Sequence, residues 1–219
     1  ASYVQVTGHP AYRADDALWL FPTVYKYVSE TGDLAFIDKV IPYANKGEGT
    51  VYDHLKRAIE FSMNHLGKHG MPAGLYADWN DCLRLGKEGE SSFVAFQYYY
   101  AMTIIKKFAE YKSDNDYIKF IEEKQEQLGK IIQENCWNED RFIRGYTEDG
   151  EAIGERNSPE ANMWLNPQSW SVISGFASEE QADIVLDKVN ERLNTEYGAI
   201  LMDPPYHAHA FDGALAVIY

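Results

Sequence analysis

Apolar residues in this chain recur mostly at the spacing of an α-helix. Between residues 51 and 66 they return every three or four positions, which is typical of a helix with one buried face. Thr50 is placed to cap the start of this helix and Gly67 to end it. The same spacing predicts further helices over residues 15–29, 92–111, 116–134, 167–175 and 178–193. Pro22 lies inside the first of these patterns, which predicts a kink or a late start there.

These predicted helices differ in how much of their surface is apolar. Apolar and aromatic side chains occupy most sides of the helix at 92–111, which predicts burial on several faces. The helix at 116–134 has a strongly charged opposite face, which predicts half exposure. Residues 141–154, with a turn at Asp149-Gly150, predict a short β-hairpin. We therefore expect an all-α fold decorated by one small hairpin, with residues 1–219 in a single domain.

Composition and charge narrow the functional classes. The chain has 219 residues, of which 45% are apolar and 25% charged, as in an ordinary soluble globular protein. A net charge of −14 argues against a nucleic-acid partner, because phosphate binding normally needs clustered Lys and Arg. No apolar run is long enough to cross a bilayer, so we expect no membrane partner.

The cysteines and the two ends of the chain give weaker signals. Cys82 and Cys136 are too few for a disulfide framework, which favours a reducing, cytoplasmic location. The sequence begins without Met and stops in the apolar run Ala216-Val217-Ile218-Tyr219. We therefore expect a piece of a longer protein.

The segment Asp78-Trp79-Asn80-Asp81 carries the clearest chemistry. It falls in a polar turn between two predicted helices. Trp79 offers a flat face for a sugar ring, Asn80 and one Asp can bond hydroxyl groups, and the other Asp can protonate a glycosidic oxygen. The same residue types also suit an Asx-rich cap with Trp79 in the core. Residue types alone support the two interpretations about equally.

A resemblance to a known family favours the sugar-site interpretation over the cap interpretation. The segment resembles the catalytic-acid segment of the inverting disaccharide phosphorylases of glycoside hydrolase family 94. Other stretches resemble the family in the same order along nearly the whole chain: DDALWL at residues 15–20, ETGD at 30–33, HGMP at 69–72, NPQSW at 166–170 and TEYG at 195–198. The resemblance implies an (α/α)6 barrel. Because a closed barrel of that kind needs about twelve helices, we expect a partial barrel.

The same resemblance implies a reaction. A β-linked gluco-disaccharide such as cellobiose would react with inorganic phosphate to give α-glucose 1-phosphate and a free sugar. Asp81 would be the general acid, Trp79 would line the donor-sugar site, and Asp78 would act as a capping or supporting group. Phosphate is already an anionic nucleophile, so it needs no catalytic base and is the co-substrate without any further cofactor. Laminaribiose and N,N′-diacetylchitobiose remain alternative substrates, and a homodimer of the longer enzyme remains open.

A general acid must keep its proton near neutral pH. An apolar, partly desolvated site around Asp81 would favour the protonated form, and Trp79 and Leu83 could help to form such a site.

Further sugar contacts are expected at Asn80, Gln168, Trp170 and Tyr206. For two of these an alternative stays open, since Gln168 could brace a loop and Trp170 could belong to the core. Asp15 and Asp16 could bind hydroxyl groups, but two Asp residues opening a helix are more often caps, so we favour capping.

Two histidines near the end of the chain suggest a metal site only weakly. His207 and His209 are flanked by Asp203 and Asp212, but this spacing matches no standard zinc signature. We therefore expect no metal, and we assign this loop to the acceptor sugar.

Two rival functions remain. A non-catalytic carbohydrate-binding domain would use Trp79, Trp164 and Trp170 as stacking platforms. An inverting hydrolase on the same fold would need a second carboxylate about 6.5–9.5 Å from Asp81.

Overall fold

The computed structural model describes residues 13–207, and helices account for nearly half of them. This confirms the helical character predicted from the sequence. Within the described range the helices do not close into a barrel, so a partial (α/α)6 barrel stays a prediction. The α-helices of this range are α1 (Leu20–Thr31), α2 (Val51–Met63), α3 (Ser92–Lys112), α4 (Asn115–Cys136), α5 (Leu165–Ile173) and α6 (Glu179–Arg192).

Two helix starts form the expected side-chain caps. The Thr50 hydroxyl accepts a hydrogen bond from the Asp53 amide, and the Asp53 carboxylate accepts one from the Thr50 amide. Ser178 and Gln181 make the same reciprocal pair at the start of α6. Both capping boxes satisfy backbone N–H groups that have no partner inside the helix, which explains why α2 and α6 begin where the sequence predicts.

The end of α2 and the start of α1 differ most from the predicted ranges. Helix α2 ends at Met63 with Asn64 as its C-cap, so the assignment of Gly67 as the terminating glycine was wrong. Beyond Met63 the chain turns back, and the Gly67 amide bonds the Met71 carbonyl oxygen. Helix α1 begins at Leu20 rather than at residue 15, which agrees with the late start predicted from Pro22; Pro22 lies in the first turn, where a missing backbone N–H is tolerated.

Helix α3 lies at the centre of the main core. It packs against α1, α2, α4 and α5, and its buried residues face several directions. By contrast, α4 buries one stripe containing Ile121, Leu128 and Ile132. The contrast between an inner and a half-exposed helix, which the sequence predicts, is therefore confirmed.

The strands are short, and the described residues contain more of them than the single predicted hairpin. They form antiparallel pairs: β1 (Val40–Pro42) with β2 (Glu48–Thr50), β4 (Trp137–Asn138) with β5 (Arg141–Phe142), β8 (Met163–Trp164) with β11 (Met202–Asp203), and β9 (Asn194–Thr195) with β10 (Gly198–Ala199). A three-stranded sheet has the order β3 (Glu90–Ser91), β6 (Gly145–Tyr146), β7 (Ala152–Ile153). The predicted hairpin is its β6–β7 part.

Gly145 allows β6 to approach β3 closely. A Cβ at this position would collide with the carbonyl oxygen of Glu90, so there is no room for a side chain. The φ angle of 151° is also one that other residues rarely adopt. Only glycine fits so close a backbone approach. Strand β3 leads directly into α3, whose first amide, that of Ser92, donates to the carbonyl oxygen of Arg144. Arg144, the residue before Gly145, is therefore held beside the start of the central helix.

Candidate functional site

The Asp-Trp-Asn-Asp motif lies in a turn, residues 78–83, which we call the DWND turn. Its last residue, Leu83, is buried with Leu85 in a small apolar cluster that includes Ile153 and Trp164. The Leu83 amide donates to the Asn80 carbonyl oxygen at 3.0 Å. The turn is therefore anchored at its C-terminal side by apolar packing.

Asp78 anchors the other side. Its side chain is 1% exposed, and its Oδ2 accepts hydrogen bonds from Arg144 Nη2 at 2.6 Å and from Ser91 Oγ at 2.7 Å. Its Oδ1 accepts a bond from the Asn80 amide at 2.9 Å. Asp78 is thus a buried, paired carboxylate that supports the turn, as a buried charge must be paired to be tolerated.

Asp81 has the opposite environment. Its side chain is 68% exposed, and its Oδ1 pairs with Arg13 Nε at 2.8 Å. The Arg13 guanidinium also lies 4.8 Å from the centre of the Tyr76 ring. The described residues therefore do not form the apolar enclosure expected around Asp81, because the carboxylate faces solvent and a cation.

Trp79 and Asn80 lie next to Asp81 in the same turn. Trp79 is 56% exposed, so its indole is accessible to a ligand. Asn80 is buried, and its Oδ1 accepts a hydrogen bond from the Cys82 amide at 3.1 Å. Its Nδ2 is buried without a partner in the described part of the chain. The turn thus presents an aromatic face and a carboxylate to solvent, with an amide beneath them.

The Gln168 side chain forms its hydrogen bonds with backbone groups. It is fully buried, its Oε1 accepts from the Phe142 amide at 2.8 Å, and its Nε2 donates to the carbonyl oxygens of Phe142 and Trp164 at 2.7 and 3.0 Å. This arrangement favours the bracing alternative over a sugar contact.

Trp170 and Tyr206 are half-buried at the edges of the two apolar clusters. The Trp170 ring makes edge contacts with Trp19, Phe93 and Tyr100, at centroid distances of 5.5, 5.6 and 6.4 Å. The Tyr206 ring lies 6.4 Å from Trp164, and burial raises the pKa of its hydroxyl to about 12. Both therefore have a packing role, and their sugar contacts stay predictions.

The acidic pair before α1 does not cap the helix. The N-cap position is Trp19, and no side chain bonds the first backbone amides of α1, so the favoured capping interpretation was wrong. Asp15 instead accepts a hydrogen bond from Trp19 Nε1 at 2.8 Å. Burial raises the pKa of Asp15 to about 6, and the Asp78 charge adds to the increase. Burial also raises the pKa of Asp16, against the influence of Arg13.

Two charged residues near the turn, Arg13 and Arg144, were missed in the sequence. Arg13 and Arg144 bind Asp81 and Asp78 respectively, and buried Glu90 bonds the His69 imidazole and the amides of His69 and Met71. The one available signal was Arg144 itself, a charged residue inside the predicted apolar hairpin. Its partner could not be read from the sequence, because it lies 66 positions away.

The described residues contain no cluster of three or more His, Cys, Asp or Glu side chains arranged to hold a metal ion. Asp203 is paired with Arg192, and the His207 amide donates to Glu160 Oε1 at 3.1 Å. His209 and Asp212 lie outside the described residues. Likewise, no helix in the described range is both long and apolar enough to span a bilayer.

Comparison with known sequences gives a consistent family. A family model for the glycosyl hydrolase 94 superfamily, catalytic domain, matches residues 2–218. N,N′-diacetylchitobiose phosphorylase from Vibrio proteolyticus is 38% identical over 195 residues, covering 88% of this chain and 24% of that protein. Solabiose phosphorylase from Paenibacillus borealis is 33% identical, and the match covers 90% of this chain and 26% of that protein. Cellobionic acid phosphorylase from Neurospora crassa is 32% identical, and the match covers 88% of this chain and 25% of that protein. The chain thus spans about a quarter of the length of these relatives.

Comparison with solved structures gives a likeness of fold. A GH78 family rhamnosidase from Bacillus sp. GL1 aligns with a TM-score of 0.64 over 82% of this chain and 17% of that one. Because the sequence identity is only 13%, this match shows a similar fold and carries no information about function.

Proposed function

This chain belongs to the glycosyl hydrolase 94 superfamily, and from that premise we propose that it carries the proton-donating part of a disaccharide phosphorylase. The full enzyme would transfer a glycosyl group from a β-linked disaccharide to inorganic phosphate. Relatives named as phosphorylases support the reaction class. Their printed substrates differ, so the proposal covers β-linked disaccharides and does not single out cellobiose.

The observation that carries this proposal is the placement of Asp81 beside Trp79. An exposed carboxylate and an exposed indole face share one turn, whose backbone is fixed by buried bonds. Sugar rings stack on aromatic faces, and a neighbouring carboxylic acid can then reach the glycosidic oxygen. We assign the sugar contact to Trp79 and the proton donation to Asp81. Asn80 Nδ2 is buried without a partner among the described residues, and we propose that it turns to a sugar hydroxyl group when the ligand binds.

The proposed reaction needs a single acid. A phosphate oxygen attacks the anomeric carbon from the face opposite the leaving sugar, and the glycosidic C–O bond breaks. Asp81 gives its proton to the leaving oxygen, so the products are a sugar 1-phosphate of inverted configuration and a free sugar. Arg13 then lies where it can stabilise the ionised carboxylate. Before the next turnover the carboxylate must take up a proton and leave this ion pair.

Several finer features belong to the proposal. We propose that the six helices are part of an (α/α)6 barrel completed by the rest of the longer protein. Inorganic phosphate would be the co-substrate, with no additional cofactor. A cytoplasmic location and a homodimer stay predictions from the sequence.

The test is to incubate the full-length protein with a panel of β-disaccharides, with and without inorganic phosphate, and to assay sugar 1-phosphate. Phosphate-dependent release of a sugar 1-phosphate supports the proposal. Phosphate-independent release of two free sugars would identify a hydrolase. Sugar binding without turnover under either condition would identify a carbohydrate-binding domain.

A further inference from the structure

We propose that Arg144 is a positioning residue for the general acid. It fixes the turn that carries Asp81 while remaining buried beneath it, out of reach of the substrate. This inference rests on the proposed function, because it needs Asp81 to be the proton donor.

A continuous chain of hydrogen bonds links Arg144 to both neighbours of Asp81. Arg144 Nη2 binds Asp78 Oδ2 at 2.6 Å, and Asp78 Oδ1 binds the Asn80 amide at 2.9 Å. Asn80 Oδ1 in turn binds the Cys82 amide at 3.1 Å. The backbone on each side of Asp81 is therefore held through Asp78, and the orientation of Asp78 is set by Arg144.

The Asp81 side chain has no comparable support of its own. It is mostly exposed, and its ion pair is with Arg13 at the surface. Exposed ion pairs contribute little free energy, so they hold a side chain only weakly. The position of the carboxyl group thus depends on the turn, and a displacement of about 1 Å at a reacting group can cost roughly 100-fold in rate.

The guanidinium group also ties the turn to the central helix. Arg144 Nη1 binds Ser91 Oγ at 3.0 Å, and Ser91 Oγ donates to Asp78 Oδ2 and accepts the Val94 amide at the start of α3. The buried helix therefore provides a rigid base for the turn. Sites supported by such elements hold their geometry better than sites on free loops.

Lysine could not replace these contacts. The two Nη atoms reach two different acceptors in a fixed planar arrangement, whereas an ammonium group is a single point donor. The guanidinium carbon also lies 5.9 Å from the Phe93 ring centre and 5.6 Å from that of Trp164. These rings exclude water, which strengthens the dependence of Asp78 on its cation.

Arg141 provides a matched control. It lies three residues earlier in the chain, in β5, and is also buried. Its guanidinium binds Asp140 and Asn162, neither of which belongs to the DWND turn. An Arg-to-Lys change there tests the loss of a buried guanidinium without disturbing the support of Asp81.

The experiment compares Arg144→Lys with Arg141→Lys in the full-length enzyme. Each variant is assayed with phosphate on the preferred disaccharide and on a nitrophenyl β-glycoside, whose leaving group needs little protonation. We expect Arg144→Lys to lower kcat on the disaccharide by about 10- to 100-fold with little change in KM. The loss on the nitrophenyl glycoside should be less than about threefold. Arg141→Lys should change both rates by similar, small factors.

Equal losses on the two substrates for Arg144→Lys, or the same behaviour in both variants, would overturn the inference while leaving the proposed function intact. A wild-type enzyme with no phosphate-dependent turnover would overturn both. If Arg144→Lys does not fold, Ser91→Ala removes one bridging hydroxyl from the same network and must show the same dependence on leaving group. An unchanged substrate ratio in Ser91→Ala would then overturn the inference.

Discussion

The Trp19 indole donates a 2.8 Å hydrogen bond to Oδ2 of Asp15, one turn earlier in the chain. Asp15 is 4% exposed, so its carboxyl group is buried. Burial, with an additional contribution from the Asp78 charge, raises the pKa of Asp15 to about 6 from a usual value of 3.8. Folding therefore works against the ionised form of this carboxyl group at neutral pH.

Asp15→Asn is expected to stabilise the fold at pH 7. A pKa that is higher in the folded state means that the ionised group costs free energy above about pH 6, and that this cost disappears as pH falls towards 4. A shift of about two pKa units corresponds to at most about 3 kcal/mol. The Asn oxygen can still accept the Trp19 hydrogen bond. The free energy of unfolding, measured in urea at pH 7 and pH 4.5, should favour the variant at pH 7 and show a smaller difference at pH 4.5.

A constant difference between wild type and Asp15→Asn across this pH range would mean that Asp15 does not titrate near pH 6. A variant less stable than wild type at pH 7 would contradict the prediction outright.

Asp81→Asn should abolish proton donation while preserving the fold, because the side chain is mostly exposed. Turnover of the natural disaccharide by the full-length enzyme should fall by roughly 10²–10⁴-fold, the usual range for a positioned acid. A nitrophenyl β-glycoside should partly rescue the variant. Near-normal turnover of the disaccharide by Asp81→Asn would show that another residue is the acid.

Trp79→Ala should weaken sugar binding without harming stability. An exposed aromatic face contributes about 0.5–1.5 kcal/mol to stacking, so KM should rise about three- to tenfold. The change in unfolding free energy should stay within about 0.5 kcal/mol. Trp164→Ala is the contrasting variant, since Trp164 is buried and should lose several kcal/mol of stability. An unchanged KM in Trp79→Ala would remove the stacking role.

Gln168→Ala should act through stability. It would leave the backbone amide and carbonyl groups of Phe142 without their partner in the core, and each such group costs about 1–3 kcal/mol. Thermal unfolding should therefore show a large loss. The control is Gln133→Ala, because Gln133 is exposed and bonds only the Gln181 side chain. A raised KM with unchanged stability in Gln168→Ala would instead support a sugar contact for Gln168.

The sequence by itself determined the features that depend on neighbours three or four positions away. The caps at Thr50 and Ser178 and the buried stripe of α4 follow from contacts within one helical turn, so the order of residues specifies them. The all-round apolarity of α3 likewise predicted its central position. The DWND motif was recognisable because it is a continuous segment.

Only the tertiary structure decided which partners these residues have. The pairs Arg144–Asp78, Arg13–Asp81 and His69–Glu90 join segments that the sequence keeps far apart. No periodicity encodes such pairs, because they depend on how β6 packs against β3 and on how the chain before α1 lies along the turn. The start of α1 is different, because there a carboxylate bonds an indole only four positions away. Burial and distant charges, which exist only after folding, made Asp78 a support and left Asp81 exposed.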